Sequence, residues 1–290
     1  MNFGIPKVTG ILAATRSIFA DVLGDDNTPA PALPAGLPDA VRPLAAEGVR
    51  RLTDYQGPGY AQLYVERLRR FVGRRNLDDA VFAEIARLMT MRMAYDDAIE
   101  MAQLQLAAAQ SGRGVPPVAV RKLRLDEMVS SLPEMVADPV LWVLEYMGWL
   151  HLPVTRRFSA ASRLSLRRLK IEASLKRWRL SSIRYAKERV WVERWLHMID
   201  RSLTKQPAAV AAVVATAEMV QGFGDGYTQN LRDWNLIIDS LVKPTFDGAL
   251  SCPDLAGAIA EARSAVRPDP QQAVLKRVIA GIRTQAGTGS

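Results

Sequence analysis

The side chains that most often carry catalysis or bind metals are scarce in this sequence of 290 residues. It contains one cysteine, Cys252, and two histidines, His151 and His197. A single thiol excludes a disulfide framework, a zinc ribbon and an iron–sulfur cluster ligated by this chain alone. Neither histidine has a metal-ligating neighbour in a recognised helical pattern, so a metal site would depend on carboxylates. We therefore expect no catalytic residue, no metal and no cofactor on this chain.

The triplet Gly224-Asp225-Gly226 is the strongest apparent cofactor motif. Thiamine-diphosphate enzymes hold the magnesium ion of their cofactor with a Gly-Asp-Gly loop that follows a strand and precedes an asparagine pair. Here the triplet lies between two helical patterns, and no Asn-Asn pair follows it. Because glycine and aspartate are also typical of turns, the sequence predicts a turn between helices at this position.

The composition is that of a soluble globular protein. Apolar residues make up 49% and charged residues 23% of the chain, near the average for such proteins. No stretch approaches the roughly 18 uncharged apolar residues that a membrane span needs. The N-terminal residues faintly resemble a signal peptide, but Arg16 interrupts them and apolar residues continue at helical spacing. We expect a cytoplasmic protein without a membrane span, with a targeting segment as the alternative.

The periodicity of apolar residues predicts an all-α fold, because strand patterns are scarce and helical patterns cover most of the chain. One predicted helix starts at Asn76, as a cap, and meets no breaker before Gly112. The other predicted helices cover residues 61–72, 124–132, 138–150, 160–204, 208–221, 227–242, 253–265 and 269–284. The expected architecture is a multi-helix bundle with one long basic helix.

Composition also divides the chain into four parts. Residues 1–24 have apolar side chains at helical spacing and are interpreted as an N-terminal docking helix. Residues 25–43 contain five prolines among alanine and glycine, which is typical of an extended linker. Residues 44–284 form the helical domain, and residues 285–290 are predicted to be a disordered tail.

Positive charge is concentrated between residues 156 and 201. This segment has 14 Lys+Arg and 4 Asp+Glu, a net charge of +10 in a chain whose net charge is +8. Four interpretations remain open: a helix that is solvated or engaged within the chain, with arginine stems covering apolar surface; a surface for a protein partner or its cofactor; a nucleic-acid surface; and a membrane surface. The candidate basic patch consists of Arg163, Arg167, Arg168, Lys170, Lys176, Arg177, Arg179 and Arg184.

Three stretches resemble motifs of one enzyme family and occur in the expected order. Residues 47–64 read EGVRRLTDYQGPGYAQLY, residues 88–97 read LMTMRMAYDD, and residues 220–231 read VQGFGDGYTQNL. The first is close to the pattern EGVRRLxDYQxxYAxxY, the second to MAYx followed by Asp or Glu, and the third to IRGFG followed by NL. Together they resemble the helical C-terminal region of the beta subunit of indolepyruvate ferredoxin oxidoreductase, over about residues 38–245.

The resemblance implies a role that spacing alone does not. Enzymes of this family oxidatively decarboxylate aryl-2-oxoacids, using thiamine diphosphate and iron–sulfur clusters on an alpha subunit. The α/β domain that normally precedes the helical region of the beta subunit has no counterpart in this sequence. The resemblance therefore implies a non-catalytic accessory chain, which partners an oxidoreductase alpha-type subunit or other subunits of such a complex.

Eight motif positions are candidates for a structural or interface role: Asp54, Tyr55, Gln56, Tyr60, Tyr95, Gly222, Gly224 and Asn230. Three alternatives remain open. The chain is a truncated subunit, or a nucleic-acid-binding helical protein that uses the segment 156–201, or an independent enzyme with a carboxylate-only active site.

Overall fold

The structure, a computed structural model, describes residues 29–95, 118–124, 129, 134–147, 149, 153–159, 167, 179–222 and 224–287. Helices dominate these ranges, which confirms the prediction of an all-α fold. In chain order the helices are α1 (Arg42–Tyr55), α2 (Pro58–Arg69), α3 (Asp79–Met93), α4 (Glu134–Tyr146), α5 (Ile183–Lys205), α6 (Val210–Ala215), α7 (Gly224–Ile237), α8 (Lys243–Asp247), α9 (Leu255–Ser264) and α10 (Ala273–Gly287).

The first three helices pack closely because small residues and aromatic residues face each other. Gly48 lies where α1 meets α2 and α3, and a β-carbon there would lie 2.6 Å from Tyr64 Oη and against the Thr90 hydroxyl. The hydroxyl of Tyr64 donates a hydrogen bond to the Ala86 carbonyl, 3.1 Å away. A glycine therefore lets α1 approach a buried tyrosine at close distance.

Helix α5 is the central helix of the bundle. Ser182 caps it, accepting a hydrogen bond from the Tyr185 amide at 3.1 Å. The indoles of Trp191 and Trp195 stack at 6.2 Å, and Trp234 from α7 contacts Trp191 at 5.3 Å. A short 3₁₀ turn over residues 179–181 and the Ser182 cap place the start of α5 at Ile183, so the predicted helix 160–204 is not continuous there. Of residues 160–178 only Arg167 is described, and it is helical.

Two strands accompany the helices in the middle of the chain. Strand β1 (Val118–Arg124) pairs antiparallel with β2 (Pro153–Ser159), with Val118 opposite Ser159 and Arg124 opposite Pro153. Helix α4 lies between them in sequence and covers most of the predicted helix 138–150. This two-stranded ribbon is a local addition to the helical fold, and the sequence analysis did not predict it.

The C-terminal helices complete the core. Helices α7 and α8 are joined by a π-helical turn over Ile238–Val242, so the helical backbone is continuous from Gly224 to Asp247. Gly248 ends it in the left-handed region, with φ of 77°. Asp254 caps α9 by accepting a hydrogen bond from the Gly257 amide at 2.8 Å. Together with α6, these helices bury the faces of α5 and α7 that carry the tryptophans.

The structure changes several predicted boundaries. Leu37 and Val41 are buried in the core, so the segment 25–43 is not a free linker up to its end. Helix α10 continues to Gly287 and includes part of the predicted tail 285–290. The predicted docking helix 1–24 lies outside the described residues.

The predicted helix from Asn76 to Gly112 also differs from the structure. Asp78 caps α3, because its carboxylate accepts a hydrogen bond from the Val81 amide at 2.7 Å. Asn76 instead has φ of 62° and donates from Nδ2 to the Leu203 carbonyl of α5, 3.0 Å away. The helix ends at Met93, and residues 96–117 lie outside the described residues. Among the described helices, none is long and apolar enough to cross a membrane.

Candidate functional site

The first two motif segments meet in the interior of the bundle. The Tyr55 hydroxyl donates a hydrogen bond to the Tyr95 carbonyl at 2.9 Å, and the Tyr60 hydroxyl donates to the Met93 carbonyl at 2.9 Å. The rings of Tyr55 and Tyr95 lie edge to face with their centres 6.0 Å apart. These hydroxyls therefore tie α1 and α2 to the end of α3 by long-range hydrogen bonds.

Arg179 joins this contact from the other half of the chain. Its side chain is 1% exposed and donates from Nη1 to the Tyr55 carbonyl at 2.8 Å and to Gln56 Oε1 at 3.2 Å. Its guanidinium carbon lies 3.8 Å from the centre of the Tyr55 ring. The prediction that Arg179 belongs to an exposed basic patch is wrong, because the arginine is used as an internal cross-link.

A buried carboxylate forms the second part of the cluster. Glu188 accepts from Arg92 of α3 at 2.9 Å and from Arg184, one turn earlier on α5, at 2.9 Å. The Glu188 side chain is 3% exposed. The Arg184 guanidinium lies 3.4 Å from the ring centre of Tyr227 on α7, and the Arg92 guanidinium lies 5.0 Å from that of Trp191. Arg184, like Arg179, is thus not part of an exposed patch.

Burial keeps two tyrosines of the cluster neutral. Burial raises the pKa of Tyr60 above its ordinary value, and burial together with the Glu188 carboxylate raises the pKa of Tyr227. A neutral phenol can stack on a cation and still donate a hydrogen bond. We call the residues Arg92, Arg184, Glu188 and Tyr227, together with Tyr55, Gln56, Tyr60, Tyr95 and Arg179, the arginine–tyrosine cluster.

The third motif positions one member of this cluster. Gly222 adopts φ of 87° just before α7, and the Asn230 amide Nδ2 donates to the Gln221 carbonyl at 3.0 Å. Gly224 is the first residue of α7, so Gly224-Asp225-Gly226 forms the first helical turn, and the prediction of a turn between helices at this triplet is wrong. The motif thereby fixes the start of the helix that carries Tyr227 to Arg184.

One motif position lies apart from the cluster. Asp54 is on the exposed side of α1 and forms an ion pair with Arg50 at 3.3 Å, in series with Glu47. The motif positions therefore divide into a buried set, an entry to α7 and this single exposed carboxylate.

Much of the described basic segment is engaged within the chain. Between residues 179 and 201, four of the six basic side chains bind other parts of the protein: Arg179 and Arg184 as above, Arg194 with Asn235 and Asp239, and Arg201 with Asp247. Lys187 and Arg189 are exposed, as is Arg167. Arg163, Arg168, Lys170, Lys176 and Arg177 lie outside the described residues, so the nucleic-acid hypothesis stays a prediction that depends on them.

Acidic residues of α5 are also engaged in ion pairs within the chain. Glu193 binds Arg67 of α2 and Arg70, which follows the end of α2, at 2.8 Å each, and Asp200 forms an ion pair with Arg74. The two arginines hold the pKa of the Glu193 carboxyl below its usual value. Opposite charges across helix contacts thus hold α5 against the N-terminal helices.

Sequence reasoning missed Arg92, Glu188 and Tyr227. Arg92 was hidden inside a methionine-rich run that indicated core filler, although a cation on an apolar helix face is itself a sign of a buried partner. Glu188 is one of four acidic residues in the segment of +10 charge and stands four residues after Arg184, which is the spacing of a helical ion pair. Tyr227 lay within a quoted motif but was not selected.

A different surface lies on α4. Trp142 is 67% exposed and Tyr146 is 84% exposed, and their rings stack with centres 5.9 Å apart and an interplanar angle of 15°. Val140, Val143, Met147 and Trp149 are exposed beside them. We call these six side chains the aromatic face of α4. Asp138 and Glu145 are exposed on the same helix, and no Lys or Arg occurs from Glu134 to Trp149.

Among the described residues, no group of three His, Cys, Asp or Glu side chains is placed to hold a metal ion. Comparison with known families matches residues 41–240, more than two thirds of the chain, to DUF6537, a family of unknown function. No curated protein and no solved structure matches the chain.

Proposed function

We propose that this chain, which belongs to the DUF6537 family of unknown function, is a non-catalytic accessory subunit of a 2-oxoacid oxidoreductase-like complex of the indolepyruvate type. In this proposal the helical bundle is a rigid support and the aromatic face of α4 docks on an oxidoreductase alpha-type subunit. Thiamine diphosphate and iron–sulfur clusters would be carried by the partner chains.

The observation that carries the proposal is the exposure of the aromatic face of α4. Large apolar side chains that stay exposed together are a mark of protein interaction surfaces, and tryptophan and tyrosine contribute most to binding energy in such surfaces. The two rings are already stacked at 5.9 Å, so their side-chain freedom is reduced before a partner arrives.

The chemistry of the partner surface follows from the charges around this face. Its rim carries Asp138 and Glu145 and has no basic residue between Glu134 and Trp149. A complementary partner has an apolar pocket for the two rings and a rim of lysine or arginine.

The use of the motif residues supports the non-catalytic part of the proposal. The hydroxyls of Tyr55 and Tyr60 donate to main-chain carbonyls, and Gln56 accepts a hydrogen bond from Arg179. These groups hold helices together. Most of the residues that carry the resemblance to the oxidoreductase subunit thus pack or hydrogen-bond within this chain.

The test is affinity purification of the full-length chain from its native cells, followed by measurement of thiamine diphosphate and iron in the eluate. We expect both to co-purify with the wild-type chain. The variant Trp142→Ser/Tyr146→Ser should recover at least tenfold less of both, because it removes the centre of the proposed contact.

The matched control is Val190→Ser, which removes an exposed apolar side chain from α5 and should leave recovery unchanged. If the wild-type chain recovers neither thiamine diphosphate nor iron, the proposed complex is wrong. If both co-purify equally with the double variant, the complex stands and the assignment of α4 as its docking surface fails.

A further inference from the structure

A surface groove lies beside α7. None of its lining residues belongs to the aromatic face of α4. One compartment of about 390 Å³ is lined by residues that include Asn230, Asp233, Ala260, Arg263 and Val266. A neighbouring compartment of about 660 Å³ lies between α7 and the loop that joins α9 to α10. Asn230 and Val266 line both compartments, so the two are adjacent parts of one groove.

Asp233 is a buried carboxylate in the wall of this groove. Its side chain is 2% exposed. Oδ1 accepts two hydrogen bonds, from Gln229 Nε2 at 2.9 Å and from Gln272 Nε2 at 2.7 Å. Oδ2 is itself buried and has no hydrogen-bond partner among the described residues. Burying a carboxylate with one unsatisfied oxygen is costly unless a donor completes it.

The loop opposite is held in an unusual conformation that serves this carboxylate. Gln272 has φ of 56°, in the left-handed region that residues other than glycine rarely adopt. Asp269 fixes the loop by accepting hydrogen bonds from the amides of Gln271 at 2.9 Å and Ala273 at 2.8 Å. Gln272 thus combines a left-handed backbone with a side-chain amide that donates to Asp233. Strained backbone of this kind is concentrated at ligand sites.

The basic side chains nearest in the groove are not available to Oδ2. Arg263 forms an ion pair with Glu218 at 2.9 Å. Arg267 donates from Nη1 to the carbonyls of Ser264 and Val266. Arg232 precedes Asp233 on α7, where adjacent side chains point about 100° apart. The donor that would complete Asp233 therefore has to come from outside these residues.

We propose that the groove binds a ligand with a positively charged N–H group, a guanidinium or a primary ammonium, on an alkyl stem. The charged group donates to Oδ2 of Asp233, and the stem lies along Ala260, Met219 and Val266, which line the same compartment. A charge-assisted hydrogen bond to a carboxylate away from water is stronger than one at the surface. This inference does not depend on the proposed function.

The test uses isothermal titration of the full-length chain with butylguanidinium chloride at constant ionic strength. We expect saturable binding at one site in the wild-type chain. Asp233→Asn keeps the acceptor for the two glutamines and removes the charge, so the dissociation constant should rise at least tenfold. Glu261→Gln makes the same change of charge at an exposed position of α9 and should bind as the wild type does.

A second variant keeps the test valid if Asp233→Asn folds poorly. Ala260 is exposed on α9 and lines the compartment, so Ala260→Phe should block the groove without disturbing the core. The proposal is overturned if the wild-type chain does not bind butylguanidinium. It is also overturned if both Asp233→Asn and Ala260→Phe bind butylguanidinium as tightly as the wild type does. Butanol at the same concentrations should give no saturable heat; equal binding of butanol would also overturn it.

The same titration distinguishes the source of the cation. Tighter binding of N-acetyl-arginine amide than of butylguanidinium assigns the site to an arginine side chain of a protein segment. Equal or weaker binding assigns it to a free small cation. Butylammonium then shows whether a single ammonium suffices or the fork of a guanidinium is needed.

Discussion

The arginine–tyrosine cluster and the aromatic face of α4 use the same kinds of side chain in opposite ways. In the cluster, tyrosines and a tryptophan lie against guanidinium groups, and Glu188 completes the charges in the interior. On α4, Trp142 and Tyr146 lie only against each other among the described contacts and remain exposed. The comparison separates aromatic residues that pack the interior of the bundle from aromatic residues on α4 that remain exposed.

Removing Glu188 should produce the largest effect. Glu188→Ala leaves Arg92 and Arg184 buried without their carboxylate, and breaking a buried pair in this way costs about 3–5 kcal/mol. Urea unfolding followed by circular dichroism measures this loss. The exposed Glu261→Ala should stay within about 0.5 kcal/mol of wild type. Equal stability of the two variants would show that the cluster is not the charge centre of the bundle.

Alkaline pH should weaken the bundle through its buried tyrosines. Burial raises the pKa of Tyr64 to about 12, whereas an unfolded chain ionises its tyrosines near pH 10. The stabilisation is complete below pH 10 and is lost as the pH rises towards 12, by up to about 1.4 kcal/mol per pH unit for this group. Urea midpoints at pH 9, 10 and 11 measure the slope. Tyr64→Phe should have a shallower slope; an identical slope would assign the effect to other groups.

Glycine-to-alanine substitutions should change stability in opposite directions at a close helix contact and at an open surface. Gly48→Ala places a methyl group against Tyr64 and Thr90, so overpacking should cost about 1–3 kcal/mol. Gly281→Ala in α10 meets nothing within 4 Å and should raise stability by about 0.5–1 kcal/mol, because alanine favours the helix. Thermal unfolding measures both. A gain in stability for Gly48→Ala would contradict the close approach of α1 to α2.

The aromatic face of α4 should show the smallest effect on stability. Trp142→Ser/Tyr146→Ser removes exposed rings, so the free energy of unfolding should change by no more than about 0.5 kcal/mol. Chemical denaturation of the isolated chain measures this. A loss of several kcal/mol would mean that the rings are part of the folded core, and would remove the difference between the two regions.

Local sequence patterns predicted a helix well where one apolar face of the helix packs against the core. The predicted helix 61–72 overlaps α2 over residues 61–69, and the predicted helix 253–265 contains all of α9. The sequence analysis placed the cap of the third helix at Asn76, whereas Asp78 caps α3. A distant acceptor, the Leu203 carbonyl, engages the Asn76 side chain, and no local pattern contains that information.

The composition of the cluster was harder to predict for a related reason. The burial of Arg179 depends on the Tyr55 ring and carbonyl, 124 positions away in the chain. The pairing of β1 with β2 likewise joins segments about 35 residues apart. Charge density alone left contacts within the chain, a solvated helix and a partner surface all open, because an arginine in sequence carries the same charge whether or not a tyrosine lies beneath it.

Tyr95 and Arg179 both contact Tyr55, which has a consequence for how this chain can vary. The segment between Tyr95 and Arg179 therefore has both of its ends held at one residue of the bundle. The entropy of closing a loop between fixed ends changes only slowly with its length. A change in the length of the segment that carries α4 should therefore cost the folded bundle little stability.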